Sequence, residues 1–121
     1  MKKILLIEDD QFLRTLYLDL LKKIEVQVDF AVDGEEAYKK ITEGNWDLIL
    51  LDVLLPKMNA LEILNKLKAE QPDKLKQKIV ISTNSVDDTM YTTLKNFGIE
   101  ILNKSEMNPD QFIKKVTDYL A

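Results

Sequence analysis

The sequence predicts an α/β protein, a doubly wound five-stranded parallel sheet. Apolar runs such as Ile4-Leu5-Leu6-Ile7 and Leu48-Ile49-Leu50-Leu51 are continuous rather than alternating, which marks strands covered on both faces. Such runs alternate five times with helical periodicity, the pattern of consecutive βα units.

Lys3–Ile7 reads as the first strand. Gln11–Lys23 follows as an amphipathic helix with Phe12, Leu13, Leu16, Leu20 and Leu21 on its apolar side. In Val26–Val32 the residues Val26, Val28, Phe30 and Val32 alternate, as expected of an edge strand with one wetter face. Asp33-Gly34-Glu35-Glu36 supplies an N-cap and capping-box Glu for a helix to Glu43, and Gly44 marks its stop. Asp47–Asp52 is the third strand. A loop through Pro56 leads to Asn59 and Glu62, which open a helix ending near Glu70. Lys78–Thr83 is the fourth strand, and Ser85 with Asp88 forms a box-like start for a helix to Phe97, closed by Gly98. Ile99–Asn103 is the fifth strand. Asn108-Pro109-Asp110-Gln111 combines a cap, an N1 proline and a box before the last helix. Five βα units of this size imply the flavodoxin-like strand order 2-1-3-4-5. Without linker or repeat, residues 1–121 read as a single domain, long enough to bury a core without staples.

Hydrophobic residues make up 45% of the chain and charged residues 31%, an ordinary globular balance. A net charge of −4 leaves no basic footprint, which argues against nucleic-acid binding. The absence of Cys removes disulfides and thiolate chemistry, and the absence of His removes a Ser-His-Asp triad and His-ligated metals. The apolar run at residues 4–7 is too short for a signal peptide, and no stretch is long enough to span a bilayer. The expected location is the cytoplasm, with no membrane partner.

In an open parallel sheet the ligand site lies beyond the carboxyl ends of the strands. The first strand delivers Glu8, Asp9 and Asp10 there, and the third delivers Asp52. Like charges at close range raise one another's pKa unless a cation sits among them. A few carboxylate oxygens suit Mg²⁺, which keeps several waters and shares sites with phosphoryl groups. Thr83 and Lys104, at the ends of the fourth and fifth strands, add a hydroxyl and an ammonium to the same edge. Singly, each of these residues reads as a turn, strand or surface residue; four strand ends together read as a site. Asp33, Asn59, Ser85 and Asn108 read as helix caps only. Gly34, Gly44 and Gly98 follow turn or cap logic, so no phosphate-binding glycine loop is present. A haloacid-dehalogenase-type phosphatase would place a second Asp two residues after the nucleophile, where this chain has Leu54.

The set Lys3–Asp10, Asp47–Met58, Ile79–Thr83 and Lys104 resembles the receiver domain of two-component response regulators, of the CheY-like stand-alone type, over essentially the whole chain. The resemblance implies that Asp52 accepts a phosphoryl group from a phosphohistidine of a histidine kinase or phosphotransfer protein. It implies Mg²⁺ held by Asp9, Asp52 and the backbone carbonyl of Leu54, with Glu8 acting through a bound water and Asp10 facing the first helix. Thr83 and Lys104 would contact phosphoryl oxygens, Thr83 and Ile101 would be the switch positions, and Leu54 and Ser85 would set the hydrolysis rate. A downstream protein would dock near the fourth and fifth helices, and the expectation is that the chain carries no DNA-binding domain or enzymatic effector of its own. The chain departs from the family's usual pattern in several places. Asn59-Ala60 stands for Asp-Gly, Ser105 for the proline after the lysine, Ile101 for an aromatic, and Asn84 for a small residue. The segment from Gly98 to Lys104 is one residue shorter. A Ser at 105 argues against a cis bond there. The alternative reading is a binding module of the same fold that docks a partner without regulated phosphorylation.

Overall fold

A computed structural model describes residues 1–84 and 87–121. The chain runs β1 (Lys2–Ile7), α1 (Gln11–Leu21), β2 (Val26–Ala31), α2 (Gly34–Glu43), β3 (Leu48–Leu51), α3 (Ala60–Glu70), β4 (Ile79–Thr83), α4 (Asp88–Asn96), β5 (Glu100–Asn103) and α5 (Pro109–Leu120). All strand pairs are parallel, and the sheet order is β2-β1-β3-β4-β5. Two short 3₁₀ helices, Pro72–Lys76 and Lys104–Glu106, complete it.

The alternation of side chains along each strand divides the interior into two cores. Ile4, Leu6, Leu48, Leu50, Val80 and Leu102 face α1 and α5, whose Tyr17, Leu20, Leu21, Phe112 and Val116 cover them. Leu5, Ile7, Ile49, Leu51, Ile79 and Ile81 face α2, α3 and α4. Burying each such side chain contributes roughly 1.5–3 kcal/mol. With both faces covered, β1, β3 and β4 require unbroken apolar runs.

Several sequence expectations change. In α1, Phe12 is 76% exposed and Leu16 39%, so neither is core; Tyr17 takes the buried place beside Leu20 and Leu21. The α1 helix ends at Leu21, with Lys22 as its C-cap, rather than at Lys23. In β2, Phe30 is exposed between the Arg14 guanidinium and the Lys40 ammonium, and Ala31 is the buried terminal residue. The cap of α4 is Asp87, whose side chain accepts from Met90 N; Ser85 lies outside the described residues. Gly44 does end α2, but at φ −114° it is extended, not left-handed. A Cβ there would lie 2.8 Å from the Trp46 indole nitrogen, so close approach is what calls for glycine. The capping boxes of Asn59 with Glu62 and Asn108 with Gln111 form as read.

Candidate functional site

The ladder carries Glu8 and Asp52 to the carboxyl edge of the sheet. Glu8 N donates to Ala31 O at 3.0 Å and Asp52 N to Ile7 O at 3.3 Å, extending β1 and β3 by one rung each. The acidic turn that follows is pinned to α1, because Arg14 donates from one guanidinium nitrogen to Glu8 O (3.1 Å) and Asp9 O (3.4 Å). Asp10 leaves the cluster: its carboxylate caps α1 by accepting from Leu13 N at 2.9 Å, where the helix dipole favours a negative charge. Glu8, Asp9 and Asp52 can each offer one carboxylate oxygen within 4.8 Å of the others. Three hard oxygen donors, one of them exposed, fit a divalent cation that keeps water ligands.

Lys104 reaches this cluster from a one-turn 3₁₀ helix. Asn103 caps that turn, its carbonyl oxygen accepting from Ser105 N (3.1 Å) and Ser105 Oγ (2.7 Å). No peptide bond among the described residues is cis. The buried Lys104 ammonium donates to Glu8 Oε1 at 2.5 Å and to Asp52 Oδ2 at 3.4 Å. The second Glu8 oxygen accepts from Asp10 N at 3.3 Å. Burial pushes Glu8 above the usual carboxylate range, with the bond and charge of Lys104 pulling the other way. For Lys104, burial acts downward, but the Glu8 bond and the Asp52 and Glu8 charges outweigh it and hold the ammonium above its ordinary value. The cation therefore persists in a nearly dry position.

Thr83 is buried at the end of β4, in register with Asn103 just before Lys104. Leu54, two residues beyond Asp52, is 74% exposed. Ile101 lies half-buried on β5, paired with Ile81 and packed on the α2–α4 core, and does not join the carboxylates. Ser85 belongs to the undescribed pair.

Three contributors were not visible to sequence reasoning. Arg14, on an otherwise ordinary helix, pins the acidic turn. Gly34 lets α2 approach the loop after Asp52: its N–H donates to Pro56 O at 3.0 Å, and a Cβ would fall 1.8 Å from Met58 O. Tyr17 has its ring beneath the Lys104 ammonium, 5.6 Å from ring centroid to Nζ. A polar aromatic interrupting the leucine stripe of α1 was the available signal.

Residues 4–117 match the response regulator receiver domain family. The chain belongs to that family. Its relatives are response regulators, and the phosphoacceptor switch of two-component systems is the family's role. The receiver domain is 41% identical over 113 residues to the uncharacterized transcriptional regulatory protein YclJ of Bacillus subtilis, covering 93% of this chain and 44% of that protein. With the response regulator ArlR of Staphylococcus haemolyticus it shares 37% over 101 residues, 83% of this chain and 44% of the relative. The chain thus spans less than half the length of these curated relatives. The response regulator TrrA of Thermotoga maritima, solved in complex with Mg²⁺–BeF, superimposes with a TM-score of 0.80 at 30% identity, covering 99% of this chain and 100% of that one. A CheY-like receiver domain from Methanospirillum hungatei gives 0.85 at 24% identity over 99% and 94% of the two chains, a likeness of fold alone. Among the described residues, no helix is long and apolar enough to cross a membrane.

Proposed function

We propose that this receiver domain is a phosphoacceptor switch in which Asp52 takes a phosphoryl group from a phosphohistidine of a histidine kinase or phosphotransfer protein. The convergence of a buried ammonium and two further carboxylates, Glu8 and Asp9, on Asp52 carries the reading. An Asp52 oxygen attacks phosphorus in line, the O–P bond forms as the N–P bond breaks, and the imidazole leaves to take up a proton. Phosphoryl transfer is helped mainly by positioning and charge neutralisation. Lys104, already at Asp52, supplies one fixed positive charge for the transferring oxygens. Thr83 donates its hydroxyl to another oxygen once the group is present, biasing the loop after β4 toward one state. Asp9, Asp52 and the Leu54 carbonyl would hold Mg²⁺ directly, with Glu8 acting through a bound water. The bound ion would offset charge on the phosphoryl oxygens. The downstream partner is a protein that docks near α4 and α5, and the setting is cytoplasmic.

Incubation with acetyl phosphate and Mg²⁺ should give an adduct of about 80 Da by intact mass, absent in Asp52→Ala. An undiminished adduct in that variant would remove Asp52 from its role.

A further inference from the structure

We propose that Tyr17 is a positioning residue for Lys104: its ring, supplied by α1, steadies the ammonium between Glu8 and Asp52. The inference rests on Lys104 engaging the phosphoryl group as proposed above. Tyr17 is only 8% exposed, and the Lys104 ammonium lies 5.6 Å from its ring centroid. A cation over an aromatic face is attracted by the ring quadrupole, most strongly when both are out of water. The other cation–ring pairs among the described residues use more exposed cations, so this one is set apart by its burial.

The ring is itself held. Tyr17 rests on Phe112 with centroids 4.7 Å apart and a 32° tilt, and Phe112 is 3% exposed on α5. The helix bearing Phe112 begins just after the 3₁₀ turn bearing Lys104, so base and tip of the lysine are referenced to neighbouring parts of one structure. Lys104 spans from that short turn to carboxylates just after β1 and β3, and a long flexible side chain crossing such a gap has rotamers to lose. The two carboxylates attract the ammonium through charge. The ring faces it as well, leaving fewer places to go. A leucine at 17 would fill core volume against Phe112 but offer no quadrupole.

The test compares rates of adduct formation with acetyl phosphate at saturating Mg²⁺. Tyr17→Leu should react about tenfold more slowly than wild type. Tyr17→Phe, which keeps the ring face, should restore the rate to within about twofold. In a Lys104→Met background, Tyr17→Leu should cause no further slowing, because the group it positions is gone. Magnesium affinity of Tyr17→Leu, measured by calorimetry, should be no weaker than wild type. An unchanged rate in Tyr17→Leu, a full additive loss in the Lys104→Met background, or a parallel fall in magnesium affinity would each overturn the proposal. If Tyr17→Leu fails to fold, Tyr17→Met, flexible and ringless, takes its place in every comparison. A wild type that forms no adduct would instead take down the reading of Asp52; a reactive wild type beside an equally fast leucine variant would take down only this inference.

Discussion

Leu54, two residues beyond the proposed acceptor Asp52, is an apolar side chain left 74% exposed. So exposed a side chain contributes little to packing. Hydrolysis of an acyl phosphate on Asp52 needs a water in line with phosphorus, opposite the leaving carboxylate. A leucine offers such a water no hydrogen bond and lays apolar surface over its approach. Replacing Leu54 by Asn and Ser85 by Glu should therefore speed dephosphorylation, by about 10-fold if roughly 1.4 kcal/mol of positioning is recovered. The decay of the adduct by mass checks this; an unchanged rate in the double variant, or a wild-type adduct lost within seconds, refutes it. At this scale the sequence was informative where a residue's place follows from the end of a strand, as for Glu8, Asp9 and Asp52, which do come together. It was silent where the role depends on what another element lays against the residue. Nothing near Tyr17 in the chain announces Lys104, because the two meet only through the packing of α1 beside the turn after β5.

Among the elements, α2 shows how a packing demand can hide inside a cap. Asp33-Gly34 was legible as cap and first helical residue, and Asp33 does accept from Glu36 N at 2.8 Å. The need for glycine arises instead from the loop after β3, since a Cβ on Gly34 would sit 1.8 Å from Met58 O. Neighbouring Lys57 is held at φ 69°, with its ammonium 3.5 Å from Asp33, so this loop is clamped to α2 at two points. Gly34→Ala should cost about 1–3 kcal/mol by overpacking. Because the displaced loop leads away from Asp52, adduct formation should slow as well. Urea denaturation and the acetyl phosphate assay check the two effects; a variant as stable and as fast as wild type would show that the loop yields freely. Helix starts were well read where a cap and a box coincide, as at Asn59 and Asn108. At α4 the sequence pointed to Ser85 with Asp88 as the start, whereas the cap is Asp87, because a second acidic side chain next to Asp88 can also accept from a first-turn amide. In α1 the leucine period was right, but its phase was offset toward Phe12, whose place on the helix faces water.

For the molecule as a whole, alkaline conditions probe the fold through groups far apart. Burial and a carboxylate partner push Tyr38, beside Glu70, and Tyr119, beside Glu100, up to about 12. In the unfolded chain these phenols ionise near 10. Between those values the folded state binds more protons, so stability falls as pH rises through the window. Lys104, raised above 10.5 in the fold, acts in the same direction. The urea midpoint should therefore drop between pH 10 and 12, and less steeply in Tyr119→Phe; a flat midpoint would contradict the assignment. Trp46, the single tryptophan, lies just before β3, opposite the acidic edge. Strand geometry puts it roughly 20 Å from Asp52. Its indole donates to Lys40 O at 2.9 Å, and its fluorescence should follow unfolding yet ignore millimolar Mg²⁺. Strong quenching by Mg²⁺ with the fold intact would contradict that placement.

The contact between Lys104 and Glu8 joins residues 96 positions apart, the first strand to the last. During biosynthesis, the proposed acceptor, the acidic turn and four strands are all made before the lysine. A nascent chain at that stage holds uncompensated carboxylates around Asp52 and lacks the cation that offsets them. Under the proposed reading, such a chain, and any fragment clipped after β4, lacks the fixed charge that speeds phosphoryl transfer to Asp52. On that reading, full reactivity comes only once β5 completes the sheet and brings Lys104 to Asp52.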